Sequence, residues 1–117
     1  MKKKTSRMIR INEEIKRELS SIIRSLKDPR IHPMTTIIEV DATNDLKHCK
    51  VFISVLGKEE EQKDSVQGLN NASSYIRTLL ARTINLRNTP EIKFVGDQSI
   101  ERSIRMSKLI DEVNKKE

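Results

Sequence analysis

Residues 35–55 read TTIIEVDATNDLKHCKVFISV. The first part, 35–42, is rich in β-branched residues, and the second, 48–56, alternates apolar with more polar residues, as strands with one buried face do. Between these two parts, Asn44 and Asp45 favour a turn. Because the connection is short, the pattern predicts an antiparallel β-hairpin, and the rest of the chain is interpreted outward from it.

Helical periodicity flanks the hairpin on both sides. Residues 6–27 repeat apolar side chains at steps of three and four, which predicts an amphipathic helix capped by residue 5 or 6 and ended before Pro29. Residues 59 to about 86 keep the same spacing. Within them, Gly68–Ser74 contains only Leu and Ala as good helix formers, so we predict a break or a kink there.

Two further elements complete the chain. Residues 91–95 predict a third strand, and residues 99–113 predict a last amphipathic helix. The sequence therefore predicts a single α+β domain over residues 1–117, with elements in the order α-β-β-α(kinked)-β-α. Its ends, 1–5 and 114–117, are expected to be flexible.

The charges are unevenly distributed along the chain. There are 23 Lys and Arg residues against 17 Asp and Glu, a formal net charge of +6. Ten of the basic and four of the acidic residues lie in 1–30, and 71–90 contains three arginines and no acid. Clustered positive charge on a small chain favours a polyanionic partner, nucleic acid above all. A solvated basic surface and an anionic membrane are the alternatives.

The sequence lacks the residue patterns of catalytic sites. It contains no phosphate-binding glycine loop, no zinc-protease motif and no nucleophile elbow. His48 and Cys49 are adjacent on a predicted strand and would point to opposite faces, so Cys49 is predicted to pack in the core, and His32 to lie in a loop. We predict no enzyme activity, cofactor or metal. The acidic residues near the hairpin turn are interpreted as turn and surface residues: Glu39, Asp41 and Asp45.

The cellular compartment is inferred from the scarcity of cysteine and from the lack of a membrane span or a secretory signal in the sequence. A single cysteine excludes an internal disulfide and fits a reducing cytoplasm. No apolar run approaches the roughly 20 residues of a membrane span. The basic start, Met1–Lys4, has no apolar region after it and does not resemble a secretory signal.

Aromatic residues are scarce, which bears on the kind of nucleic acid. Phe94 is predicted to be a core residue, Tyr75 a possible one, and Phe52 to be helix-packed or partly exposed on the less apolar face of its strand. Single-strand binders usually stack bases on aromatic side chains. The sequence therefore favours contacts from Lys and Arg to the phosphates of a folded RNA. A helix-turn-helix DNA binder is disfavoured because a hairpin follows the first helix.

The residues that carry a family resemblance occur in order over 6–110. Together they resemble the bacterial ribosome-binding factor A family. They are KDPR at 27–30, VDATNDL at 40–46, CKVFISVLG at 49–57, GLNNA at 68–72 before Ile76 and Arg77, LRNTPEIKF at 86–94, and DQSI at 97–100.

The resemblance implies a KH-like fold of the type II arrangement, with helices packed on one face of a three-stranded sheet and no G-x-x-G loop. Where the family has a kink of the form Ala-x-Gly, this chain has Ala72, Ser73 and Ser74, so that Ser74 stands in place of the glycine. The family assists late maturation of the small (30S) ribosomal subunit near the decoding region of 16S ribosomal RNA.

The resemblance further implies a role in 16S rRNA processing and growth in the cold, release helped by a maturation GTPase, and a cytoplasmic monomer. A protein-interaction module whose basic face meets an acidic protein is the alternative. A weaker alternative is a protein that binds a membrane surface through its basic amphipathic first helix.

Candidate RNA contacts follow from the position of the basic residues. Lys3, Arg10, Arg17 and Arg24 lie seven residues apart, which places them on one stripe away from the apolar side of the first helix. Arg30 and Arg87 have a structural alternative, in which they hold loops or helix C-termini. The predicted phosphate contacts are Arg10, Arg17, Arg24, Lys27, Arg30, Arg77, Arg82 and Arg87.

Overall fold

A computed structural model of the chain describes residues 5–86 and 88–97. The predicted last helix, 99–113, and the two ends expected to be flexible lie outside this part, except for Thr5. The described elements follow the order α-β-β-α-α-β. They are α1 (Ser6–Ser25), β1 (Thr35–Ala42), β2 (His48–Val55), α2 (Glu59–Asn71), α3 (Ser73–Thr83) and β3 (Glu91–Gly96).

The three strands form one mixed sheet in the order β1-β2-β3. β1 and β2 are antiparallel, as the hairpin predicts, with a bulge between Ile37 and Glu39. β2 and β3 are parallel, and α2 and α3 form the long crossover that parallel strands need. The predicted α+β fold class is confirmed.

The core lies between one face of the sheet and the helices. α1 packs against β1 and α3, while α2 and α3 pack against β3. Cys49 and Phe94 are both buried there, as predicted. The alternation in β2 and the three-to-four spacing in the helices therefore mark the same buried layer. Its fully buried members include Ile15, Leu19, Val51, Ile53, Leu69, Ile76 and Leu80.

The turn between β1 and β2 has an unusual conformation at Leu46, whose φ is 57°. Leu46 is buried, and its packing offsets a left-handed conformation that a non-glycine residue adopts at a cost. Asp45 holds the turn, because its Oδ1 accepts hydrogen bonds from the Thr43 hydroxyl at 2.6 Å and the Lys47 amide at 3.0 Å. The Thr43 hydroxyl, and then the Lys47 amide, lower the pKa of Asp45.

Helix α1 begins and ends close to its predicted bounds. The Thr5 hydroxyl accepts a hydrogen bond from the Met8 amide at 3.2 Å, so Thr5 is the N-cap. The helix ends at Ser25, two residues before the predicted end, because Leu26 is already extended. On its buried side, the Asn12 Oδ1 accepts the Ala42 amide at 3.0 Å and joins α1 to β1.

The long second helix is divided at Ala72. Ala72 has φ −94° and ψ 6°, which ends α2 at Asn71 and begins α3 at Ser73. Its amide still bonds back to the carbonyls of Gly68 and Leu69, and its carbonyl accepts the Ile76 amide. The interruption therefore falls within the segment where weak helix formers predict it.

Candidate nucleic-acid interface

The outer side of α1 carries the predicted stripe of arginines. Arg10, Arg17 and Arg24 are all exposed, and at 100° per residue they lie opposite the buried side of the helix. Each is about 10 Å further along the helix axis than the one before. None of the three side chains makes a hydrogen bond or ion pair with another described residue. Glu13 is also exposed on this side and reduces the positive charge locally.

The connection after α1 adds two more cations. Lys27 is exposed and has no ion-pair partner among the described residues. Arg30 instead forms a fork with Asp28, with Nη2–Oδ2 at 3.0 Å and Nε–Oδ1 at 3.3 Å. The Arg30 hydrogen bonds lower the pKa of the Asp28 carboxyl. This fork is the kind of contact that the structural alternative for Arg30 describes, while the side chain stays 51% exposed.

The loop that carries Arg30 is held against α2. The buried Ser65 hydroxyl accepts the His32 amide at 2.9 Å, and His32 Nε2 lies 2.8 Å from the Glu61 carboxylate. The loop also passes so close to Gly68 that an added Cβ would lie 3.1 Å from Ile31 Cγ1. The sequence gives a weak indication of these contacts, because the spacing of residues 61, 65 and 68 places them on one face of a helix.

The two described arginines of α3 differ in their surroundings. Arg77 donates two hydrogen bonds to the Thr89 carbonyl, from Nε at 3.0 Å and Nη2 at 2.9 Å. It thereby ties α3 to the segment that enters β3. Arg82 is exposed, and its side chain makes no hydrogen bond or ion pair with a described residue. Arg87 lies outside the described residues.

The interpretation of Tyr75 as a possible core residue is wrong. Ile76 and Leu80 face the sheet, and Tyr75, a step of 100° away from Ile76, is 58% exposed. It shares the outer side of α3 with Thr78 and Arg82. Phe52 is half-buried on the other face of the sheet, so neither aromatic belongs to the core cluster.

The face of the sheet away from the helices has mixed charge. Lys50 and Lys93 are neighbours across β2 and β3, and Asp41 lies opposite Lys50 in β1. Glu39 and Glu91 are also exposed on these strands. Lys50 and Lys93 have no ion-pair partner among the described residues either, so this face differs from the helical side in its mixture of charges and not in how many of its cations are paired. Within residues 5–86 and 88–97, no group of three or more His, Cys, Asp or Glu residues is placed to hold a metal ion, and no helix is long and apolar enough to cross a membrane.

The fold and these surfaces define an α+β domain of the KH-like arrangement, with the predicted arginine stripe exposed on its helical side. The chain belongs to the ribosome-binding factor A family, whose model matches residues 7–110. It is 60% identical over 114 residues to ribosome-binding factor A of Lachnospira eligens, covering 97% of this chain and 88% of that protein. It is 56% identical over 116 residues to that of Agathobacter rectalis, covering 98% and 96%.

Solved structures share the fold. The solution NMR structure of a Thermotoga maritima protein matches with a TM-score of 0.73 and 32% identity, over 86% of this chain and 96% of that one. Crystalline ribosome-binding factor A from Thermus thermophilus matches with a TM-score of 0.69 and 24% identity, over 76% and 94%. A homology model of the Thermus factor, as fitted into a cryo-EM map of its 30S complex, matches with a TM-score of 0.62 and 24% identity, over 74% and 91%.

Proposed function

We propose that the chain binds the small ribosomal subunit through 16S ribosomal RNA and assists a late step of its maturation. Membership of the ribosome-binding factor A family supports this proposal, as does the fitting of a Thermus relative into a map of a 30S complex. The observation that carries it is the line of three exposed arginines on α1, Arg10, Arg17 and Arg24, none of which is used inside the described fold.

The proposed contacts are electrostatic. Arginine donors on a rigid helix bind phosphate oxygens of a folded RNA, which fixes the orientation of the protein without reading base sequence. Lys27, just after α1, and Arg82, on the outer side of α3, are further candidate contacts, and Arg30 adds a side chain that is 51% exposed beside Asp28. Arg77 contributes chiefly to structure, and Arg87 stays a prediction. Because counterions are released on binding, the affinity falls as salt concentration rises.

The finer parts of the proposal follow from the family. They are support of 16S rRNA processing, importance for growth in the cold, release helped by a maturation GTPase, and action in the cytoplasm as a single-domain monomer. No catalytic step is assigned to the chain, which acts as a chaperone of RNA structure.

Crosslinking of the protein to RNA in growing cells tests the proposal. We expect crosslinks concentrated on 16S rRNA near the decoding region, in particles that sediment as immature 30S subunits. Crosslinks spread over unrelated RNAs would contradict the ribosomal role. A complex that survives ribonuclease and contains an acidic protein would instead support the protein-interaction alternative.

A further inference from the structure

The segment between α1 and β1 is fixed by one face of α2. Ser65 is fully buried and its Oγ accepts the His32 amide at 2.9 Å, across 33 positions of sequence. Glu61, one turn earlier, approaches His32 Nε2 at 2.8 Å with one carboxylate oxygen. Its other oxygen accepts the Lys58 amide at 3.1 Å and so caps α2. The loop is therefore joined to the start of a helix that is itself well anchored.

Gly68 allows the loop to lie directly on α2. A Cβ at this position would sit 3.1 Å from Ile31 Cγ1 and 3.3 Å from Arg30 Cβ, closer than ordinary van der Waals contact. The glycine weakens the helix by roughly 1 kcal/mol relative to alanine, and helix geometry gives no reason for it here. The close approach of the loop gives the reason.

The loop is also bonded within itself. The Ile31 amide donates to the Asp28 carbonyl at 3.1 Å, and the Met34 amide donates to His32 Nδ1 at 3.0 Å. Because Nδ1 accepts, the Nε2 atom of His32 carries the hydrogen that faces Glu61. Together with the Arg30–Asp28 fork, these bonds leave the backbone from 28 to 34 little freedom.

We propose that Ser65 and Gly68 are positioning residues for RNA binding, which hold Lys27 and Arg30 in a fixed place beyond the C-terminal end of α1. This inference rests on the proposed function and adds two residues that do not touch RNA themselves. A loop already ordered before binding loses less conformational entropy on contact, so its cations contribute more to affinity. The basic stripe of α1 thus continues into a preformed loop.

A double-mutant cycle on the full-length protein tests the proposal. The variants are Ser65→Ala and Lys27→Ala/Arg30→Ala, alone and combined, with affinity for immature 30S particles as the measurement. We expect Ser65→Ala to weaken binding about fivefold in the wild-type background and less than twofold where both cations are already absent. Ser54→Ala, on the face of the sheet away from the described helices, serves as the control and leaves the affinity unchanged.

Gly68→Ala is the second variant and is expected to act in the same direction. Hydrogen exchange at the His32 amide, faster in Ser65→Ala, shows directly that the loop is released while the fold persists. An equal loss of affinity in both backgrounds, or no loss in either, would overturn the positioning role. If Lys27→Ala/Arg30→Ala bound immature 30S particles with wild-type affinity, the positioning role would be overturned and the proposed function would stand. If the wild-type protein did not bind these particles, the proposed function itself would be overturned.

Discussion

The side chain of Asn70 pairs with the backbone of Phe94 much as a neighbouring strand would. Its Nδ2 donates to the Phe94 carbonyl at 2.9 Å, and its Oδ1 accepts the Phe94 amide at 2.8 Å. β3 is an edge strand, so these two groups point away from the sheet. α2 therefore both covers the sheet and satisfies its edge, which limits unwanted pairing with another chain.

Asn70→Ala should destabilise the fold by about 1–3 kcal/mol, because it leaves the backbone amide and carbonyl of the buried Phe94 without a partner. The measurement is the free energy of unfolding in urea. Asn71→Ala, at the exposed neighbouring position of the same helix, is the matched control and should change it by less than about 0.5 kcal/mol. Equal effects of the two variants would contradict the role given to Asn70.

The two described arginines of α3 should respond differently to removal. Arg77→Ala loses both hydrogen bonds to the Thr89 carbonyl and should lower the free energy of unfolding by about 1 kcal/mol. The Arg82 side chain has no described partner, so Arg82→Ala should leave the free energy of unfolding unchanged and reduce the affinity for 30S particles instead. Urea unfolding and co-sedimentation of both variants measure this separation. Equal changes of the two variants in free energy of unfolding and in affinity would show that Arg77 and Arg82 do not have different roles.

Acid should weaken the two structures held by Asp28 and Asp45. Both carboxyls have a pKa below the 3.8 of an ordinary aspartate, Asp28 through its bonds from Arg30 and Asp45 through the Thr43 hydroxyl and the Lys47 amide. A lowered pKa contributes stability that is present above pH 3.8 and is lost as the pH falls through the folded-state pKa. Carboxyl titration by NMR should therefore place both midpoints below 3.8.

Stability measurements with Asp45→Asn check the same linkage. The wild type should exceed the variant in free energy of unfolding at neutral pH, and the difference should shrink as the pH falls below 3.8. A difference that stays constant with pH would show that Asp45 acts through its shape and not through its charge.

Local patterns were sufficient to predict the six elements within residues 5–86 and 88–97, whereas the predicted last helix lies outside them. Alternation in residues 48–56 predicted β2, which ends at Val55, and the weak helix formers of Gly68–Ser74 predicted the division at Ala72. What local patterns could not predict was the contacts between distant segments. The bond from His32 to Ser65 and that from Asn70 to Phe94 each join residues more than twenty positions apart.

The candidate interface was predictable in part for the same reason. A seven-residue spacing places Arg10, Arg17 and Arg24 on one exposed line because helix geometry is regular. The partners of Arg30 and Arg77 depend on the path of loops, which spacing does not describe. Tyr75 was misplaced because its aromatic side chain suggested burial, whereas the step of 100° from Ile76 carries it to the outer side of α3.

The central claim is that the helical side of the molecule binds the 30S subunit, and that the face of the sheet away from the helices, which carries Lys50 and Lys93, does not. Arg17→Glu/Arg24→Glu and Lys50→Glu/Lys93→Glu change the net charge equally, on opposite sides of the fold. Binding to immature 30S particles, measured over a range of salt concentrations, compares the two variants. We expect the α1 variant to lose at least about tenfold in affinity and to show a shallower salt dependence, while the sheet variant stays within about threefold of the wild type. Equal losses, or a larger loss for the sheet variant, would contradict the claim.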